Sequence, residues 1–235
     1  MPSAIQNVNR CAQQTEALET ARGATLTWGA AVEAIGFWAL ILVYMWWIEP
    51  VAPLVVRLAS LLLLGLVPVT SVLLHHERPS EIGFGLTGLR RSALEVGVAT
   101  LGSALVIGAV AVAAKEPPRF ALHSPWVVPG YLVWGLLQQF ALQAFVHRRL
   151  RQALGRPRLA ALAAALLFGA VHLPNPVLAP AATLGGWIWC RLYARTPNLW
   201  TLAVSHAVLA GLVLWLLPPT WVHDLKVGPG YWTWR

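Results

Sequence analysis

Long apolar runs alternate with short polar segments along the whole chain. A helix needs about 20 apolar residues to cross the hydrocarbon core of a bilayer, so runs of this length predict membrane-spanning helices. The fifth and sixth runs are short and are joined by HLPNP, which also allows a tight or partly re-entrant pair. The pattern predicts an all-α polytopic bundle of about seven spans, with an eighth crossing as the alternative. The candidate spans are 29–48, 51–74, 92–114, 126–146, 157–173, 177–193 and 199–218.

The composition is that of a membrane protein. Apolar residues make up 57% of the chain and charged residues 11%, against about 25% charged in soluble domains. The 13 tryptophans agree with this, because Trp favours the bilayer interface. We expect a polar N-terminal tail at 1–28, a transmembrane domain at 29–218 and a Trp-rich C-terminal tail at 219–235.

Basic residues are distributed unevenly between the two ends of the predicted spans. The N-terminal tail and the second, fourth and sixth loops hold 12 of the 17 Lys and Arg residues, and the opposite side holds 4. This bias predicts a cytoplasmic N-terminus in a bacterial inner membrane. The net charge of +8 therefore reflects orientation and contact with anionic lipid rather than nucleic-acid binding.

Polar residues inside the spans are the candidate functional positions, because amide and ionisable groups are costly in hydrocarbon. Each also has a structural interpretation. The histidines suit either bonds to a neighbouring carbonyl or a shared polar pocket, and interhelical amide bonds stabilise membrane bundles. The candidates are Glu33, Glu95, Gln138, Gln139, Gln143, His172 and His206.

Three short motifs follow one another in the chain: QQFALQ at 138–143, FGAVH at 168–172 and SHAVLA at 205–210. Their order and spacing resemble the CPBP family of intramembrane proteases, also called ABI proteins, which includes the type II CAAX prenyl endopeptidases. The family pattern is EExxxR, then FxxxH, then HxxxN or HxxxD. The resemblance covers roughly residues 75–215.

The resemblance implies a site in which His172 and His206 orient water and the oxyanion. Gln138 and Gln139 stand where the family has its glutamates, and would position the scissile amide. Gln143, in the place of the arginine, and Phe168 would contact the substrate. Ala210 stands where the family has Asn or Asp.

The glutamines change the expected chemistry, because an amide does not accept a proton as a carboxylate does. Basicity must then come from Glu33, from Glu95, or from a divalent metal such as zinc held by His172 and His206. Two histidines fall short of the three protein ligands usual in catalytic zinc sites. Depth is a second constraint. At the helical rise, His172 lies about 21 Å from Arg158, so a tilted or re-entrant fifth helix is needed to bring it beside Gln138 and His206.

Two functions follow from these observations. The first is a CAAX-protease-like intramembrane endopeptidase that cuts a hydrophobic or prenylated peptide. The second is a catalytically inactive relative that binds a peptide, lipid or partner membrane protein as an immunity or scaffold protein. A small transporter has less support, since the chain has no repeat symmetry and no charged pore residues.

Overall fold

A computed structural model of the chain describes residues 28–115, 117–119 and 127–234. Within these residues the fold is all-helical, which confirms the predicted helical membrane bundle. The predicted polar tail lies almost entirely outside the described residues. The main helices are α1 (Trp28–Ile48), α2 (Leu54–Leu74), α3 (Leu89–Ala114), α4 (127–154), α5 (Pro157–Ala170), α6 (Leu178–Tyr193) and α7 (Leu199–Leu216).

Four of these helices, α1, α2, α3 and α7, are long and apolar enough to cross a membrane. They correspond to the first, second, third and seventh predicted spans. The fourth predicted span lies on α4, which continues past it to residue 154. The fifth and sixth lie on the shorter α5 and α6, of 14 and 16 residues. The number of complete crossings stays a prediction.

Local sequence signals set the helix ends. Gly155 closes α4 with φ of 60°, and Pro157 opens α5 at its first turn, where the missing N–H costs nothing. Asn198 caps α7 by accepting a hydrogen bond from the Thr201 amide at 3.0 Å. The segments GRPR at 155–158 and RTPN at 195–198 therefore each separate two consecutive helices.

α4 is wound in three parts: an α-helical segment Val127–Gln139, a π-helical segment Phe140–His147 and a final α-helical segment Arg148–Leu154. All six residues from Leu142 to His147 are buried, so the π segment is surrounded by neighbouring elements. Its side chains form the centre of the main core together with those of α5, α6 and α7.

Small residues allow α5 and α6 to pack closely. Ala160, Ala161, Ala164 and Ala165 are buried on α5, and a Cβ at Gly169 would overlap the Thr183 side chain of α6. Small interface residues are the usual means by which helices approach each other in lipid. This contact fixes Phe168, the neighbour of Gly169, against the rest of the core.

Candidate active site

The glutamine motif lies at the junction of the α and π windings of α4. Gln139 ends the α segment, and Gln143 lies one turn later in the π segment. Both side chains are completely buried. Gln143 donates its Nε2–H to Oε1 of Gln139 at 3.2 Å. The Gln139 oxygen therefore faces Gln143, and its nitrogen is left to face the opposite side.

On that side lies His206 of α7. The Nε2 of Gln139 is 3.2 Å from Nδ1 of His206. Since the Gln139 nitrogen carries hydrogens, Nδ1 accepts, and the proton of the neutral imidazole is on Nε2. The three residues thus form one directed chain of hydrogen bonds, from Gln143 to Gln139 to His206.

α4 reaches His206 because the two helices approach closely at Gly135. A Cβ at this position would lie 2.9 Å from the Ala203 carbonyl and 3.6 Å from Cβ of His206. A side chain there would push α7 away from α4. Gly135 therefore sets the separation that lets the Gln139 amide contact the imidazole.

Trp189 of α6 covers the other face of the His206 ring. The two rings are stacked, with centroids 4.9 Å apart and an interplanar angle of 20°. The indole Nε1–H donates to Oγ of Ser205 at 3.0 Å, and Ser205 in turn lies 2.7 Å from the Thr100 hydroxyl of α3. These bonds hold the indole, and through it the imidazole, in one orientation.

His172 joins the same group through Phe168. The Phe168 ring lies edge-on to both imidazoles, with centroid distances of 4.9 Å to His172 and 5.9 Å to His206. The structure thus brings the second and third motifs together, as the sequence required of a common pocket. α5 is only 14 residues long and ends at Ala170, two residues before His172.

The backbone selects the tautomer of His172. Its Nδ1 lies 2.7 Å from the Phe168 carbonyl oxygen. A carbonyl only accepts, so Nδ1 carries the proton, and Nε2 of the neutral ring is left with a lone pair. His172 and His206 therefore differ: the first offers an acceptor at Nε2 and the second a donor.

Gln138 is separate from the buried chain. Its side chain is half-buried, between the buried Gln139 and the exposed Leu137. It lies one turn from Trp134, on the helix face that borders an apolar surface groove of about 370 Å³. The groove is lined by Pro129, Gly130, Val133, Trp134 and Leu137.

The two membrane carboxylates considered as replacement bases are engaged elsewhere. Glu33 accepts hydrogen bonds from Ser71 at 2.5 Å and from Arg149 at 2.8 Å. Glu95 pairs with Arg91, one turn earlier on α3, at 2.8 Å. Neither carboxylate contacts Gln139 or His206 among the described residues, so the expectation that one of them supplies the base is not supported.

A metal site does not fit the pocket either. Among residues 28–115, 117–119 and 127–234, no three His, Cys, Asp or Glu side chains are grouped to hold a metal ion. His172 and His206 are only two nitrogen ligands, and the bond at Nδ1 of each leaves Nε2 as the atom that would bind an ion. Zinc binding by these two residues therefore lacks the third ligand that a catalytic site needs.

The sequence did not single out Trp189, Ser205 or Gly135 as site residues. A Trp in a membrane helix is more often an interface residue, and only the tertiary contact reveals that this one is buried against an imidazole. The sequence does contain one signal for Ser205, which directly precedes His206 in the same span. A hydroxyl inside a membrane span needs a hydrogen-bond partner, so its position indicates a polar contact with another helix.

The C-terminal segment packs against the loop that follows His172. Asn175, which is completely buried, donates to the Val222 carbonyl at 2.9 Å, and Gly228 donates its N–H to the Leu173 carbonyl at 2.8 Å. Residues 219–231 form a short helix, Pro219–Val222, and two 3₁₀ turns. The predicted tail is thus ordered structure that covers the α5–α6 loop.

A family model, the Rce1-like type II CAAX prenyl endopeptidases, matches residues 120–212. The match contains all three motifs and confirms the resemblance over this part of the chain. The matched segment is therefore similar to this family of endopeptidases, and the four long apolar helices support an integral membrane protein. No curated protein and no solved structure matches the chain.

Proposed function

We propose that this protein is an intramembrane endopeptidase that cuts a hydrophobic or prenylated peptide, with histidine in place of the family's glutamate as the base. The observation that carries the proposal is the pairing of the buried His206 imidazole with the half-buried His172 imidazole around Phe168, with opposite functions at Nε2. Nε2 of His172 is an acceptor and Nε2 of His206 is a donor. Peptide hydrolysis uses an acceptor for the proton of the attacking water and a donor to the oxyanion.

In this mechanism His172 accepts a proton from the attacking water at Nε2. Its Nδ1–H remains hydrogen-bonded to the Phe168 carbonyl oxygen at 2.7 Å. This bond stabilises the imidazolium that forms. The proton is later returned to the leaving amine. Histidine performs this exchange in many hydrolases, so the loss of the motif carboxylate does not by itself remove acid–base chemistry.

His206 donates from Nε2 to the oxyanion of the tetrahedral intermediate. The Gln143–Gln139 chain bonds its Nδ1, and Trp189 stacks on its ring. A donor held in advance in a buried site stabilises developing negative charge strongly, because it does not reorganise during the reaction. Gln139 and Trp189 are positioning residues in this scheme.

The apolar groove on α4 supports a hydrophobic substrate. It runs along the helix beside Trp134 and Leu137, and Gln138 is the next residue of the chain. A lipid chain or an apolar peptide segment lying in it would bring a polar backbone group to the Gln138 amide, which can bond a carbonyl as donor. Membrane lipid is the alternative occupant of the same groove.

The test is cleavage of prenylated and unprenylated hydrophobic peptides by the purified protein, with products identified by mass spectrometry. We expect His172→Asn and His206→Asn each to abolish cleavage. His76→Asn is the matched control, because His76 is exposed in a loop with φ of 53°, a conformation that Asn tolerates. Cleavage that survives both site substitutions would overturn the proposal.

A catalytically inactive binding protein is the second candidate, and one observation favours it. Gln143, Gln139 and His206 are linked by hydrogen bonds without any charge, while Glu33 and Glu95 pair with arginines. Such a neutral pocket suits binding of a peptide or partner membrane protein without turnover. It predicts that Gln138→Ala and His206→Ala change peptide binding although no product forms in any variant. Histidine-dependent product formation by the purified protein would exclude it.

A further inference from the structure

Unpartnered buried polar atoms are concentrated in one part of the bundle. Ten buried side-chain N and O atoms of the described residues have no hydrogen-bond partner, and seven of them belong to six residues around the end of the π segment. These residues come from α4, the end of α6 and the segments next to them. They are Glu77, Gln143, His147, Arg148, Tyr193 and, just beyond α6, Thr196.

His147 is the centre of this group. Its side chain is completely buried, and neither Nδ1 nor Nε2 has a partner. It lies one turn beyond Gln143 and two turns beyond Gln139 on α4. Its ring centroid is 6.3 Å from that of Tyr193, whose hydroxyl is also unpartnered. An imidazole with both nitrogens buried and unpaired is rare in folded proteins.

The residues that carry the unpaired atoms follow α4 toward the candidate active site. Oε1 of Gln143 is unpaired, while its Nε2 is bonded to Gln139 and thereby linked to His206. In the other direction the Tyr193 hydroxyl lies beside Arg148 without a hydrogen bond of good geometry. From His147 to Gln139 the helical rise amounts to about 12 Å, a distance that a few hydrogen-bonded water molecules span.

We propose that ordered water enters the bundle beside Arg148 and Tyr193, binds both nitrogens of His147, and continues along Gln143 to the His206 pocket. Water suits these atoms because it both donates and accepts, as the neutral imidazole, the Gln143 carbonyl oxygen and the tyrosine hydroxyl together require. Buried waters in proteins characteristically bind such otherwise unpaired groups.

The unpaired atoms lie near the end of the bundle that is predicted to face the cytoplasm, where water is available. Arg148 and Glu77 lie at the end of α4 that the charge bias predicts to face the cytoplasm, whereas the outer faces of α2, α3 and α7 are apolar. A peptidase site inside the bundle needs a supply of water that lipid-facing surfaces do not offer. Delivery of the hydrolytic water rests on the proposed peptidase function, but the presence of the water path does not.

Hydroxyl-radical footprinting of the full-length protein in lipid nanodiscs tests the path directly. Radicals formed by radiolysis of bound water oxidise side chains beside that water, and mass spectrometry measures the rate at each residue. We expect Tyr193, His147 and the neighbouring Cys190 to be oxidised several-fold faster than the buried Phe145 and Phe37, after correction for intrinsic reactivity. All of these side chains are nearly inaccessible from the surface. Equal corrected rates would overturn the proposal.

A substitution then tests the role of His147. His147→Phe replaces the imidazole by an apolar ring, and we expect it to lower oxidation of Cys190 and Tyr193. Phe145→Leu, two residues away and equally buried, is the control and should leave both rates unchanged. Unchanged labelling in a folded His147→Phe protein would show that water does not pass His147. If this variant does not fold, the wild-type comparison alone decides.

The labelling result is independent of turnover. Labelling of Tyr193 and Cys190 in a protein that cleaves no peptide leaves the water path standing and removes only the peptidase proposal. Cleavage without labelling would remove the path and keep the peptidase.

Discussion

Gln139 donates its side-chain amide to Nδ1 of His206 across 3.2 Å, and receives a hydrogen bond from Gln143 one turn away. A carboxylate and an arginine at the two motif positions would hold a buried ion pair. Here the pair is replaced by two amides joined by a hydrogen bond and without charge. The pocket therefore keeps its polar connection to the histidine, while the cost of burying ions is absent.

Restoring charge to one member of this pair should destabilise the protein. Gln139→Glu places a carboxylate beside neutral groups, and we expect a loss of about 3–5 kcal/mol in the free energy of unfolding. Gln139→Glu with Gln143→Arg supplies an i,i+4 partner and should recover most of the loss. Denaturant unfolding in detergent measures both, with Gln138→Glu as the half-buried control. A double variant no more stable than the single one would contradict the direct contact between positions 139 and 143.

Ser205 should be coupled energetically to Trp189. Ser205→Ala leaves the indole N–H without its acceptor at 3.0 Å, and an unsatisfied buried donor costs about 1–3 kcal/mol. Trp189→Phe removes the donor and keeps an aromatic ring against His206. In a double-mutant cycle, we expect Ser205→Ala to cost much less in the Trp189→Phe background. Purely additive losses would show that the hydrogen bond contributes little.

The approach of α5 to α6 should depend on Gly169. Gly169→Ala brings a methyl group into the Thr183 side chain and to 2.9 Å from the Ala179 carbonyl. Overpacking of this kind costs about 1–3 kcal/mol. Gly97→Ala on α3 is the matched control, because no atom lies within 4 Å of its added Cβ. The control should be neutral or stabilising by up to about 1 kcal/mol, and equal losses would argue against the close contact.

Arg149 should be among the most sensitive charged positions. It is completely buried and bonds Glu33, Ser71 and Glu77. Arg149→Met leaves Glu33 and Glu77 without this partner, and loss of one member of a buried pair costs about 3–5 kcal/mol. Arg158→Met, at an exposed position of α5, should change stability by no more than about 0.5 kcal/mol. Thermal unfolding of both variants tests the difference.

Hydropathy alone predicted the helical bundle, because lipid requires long apolar segments whatever their tertiary contacts. The spacing of FGAVH and SHAVLA identified His172 and His206, whose rings both lie beside Phe168. Of the glutamines in QQFALQ, Gln139 bonds His206, whereas Gln138 lies apart. The π winding of Phe140–His147 was not predicted, since local sequence carries no strong signal for it. Nor was the pairing of Glu33 with Arg149, which are 116 positions apart and meet only through tertiary packing.

The pairing of Arg149 with Glu33 also determines which part of the chain can fold when it is expressed alone. Arg149 lies within the matched segment 120–212, whereas its partners Glu33, Ser71 and Glu77 lie before it. An excised 120–212 fragment would contain Arg149 without its carboxylate partners, and would lose the α1 and α2 surfaces that cover the π segment. The stretch shared with the protease family is therefore smaller than the unit that folds. Expression of the recognisable part alone should yield an insoluble or rapidly degraded product.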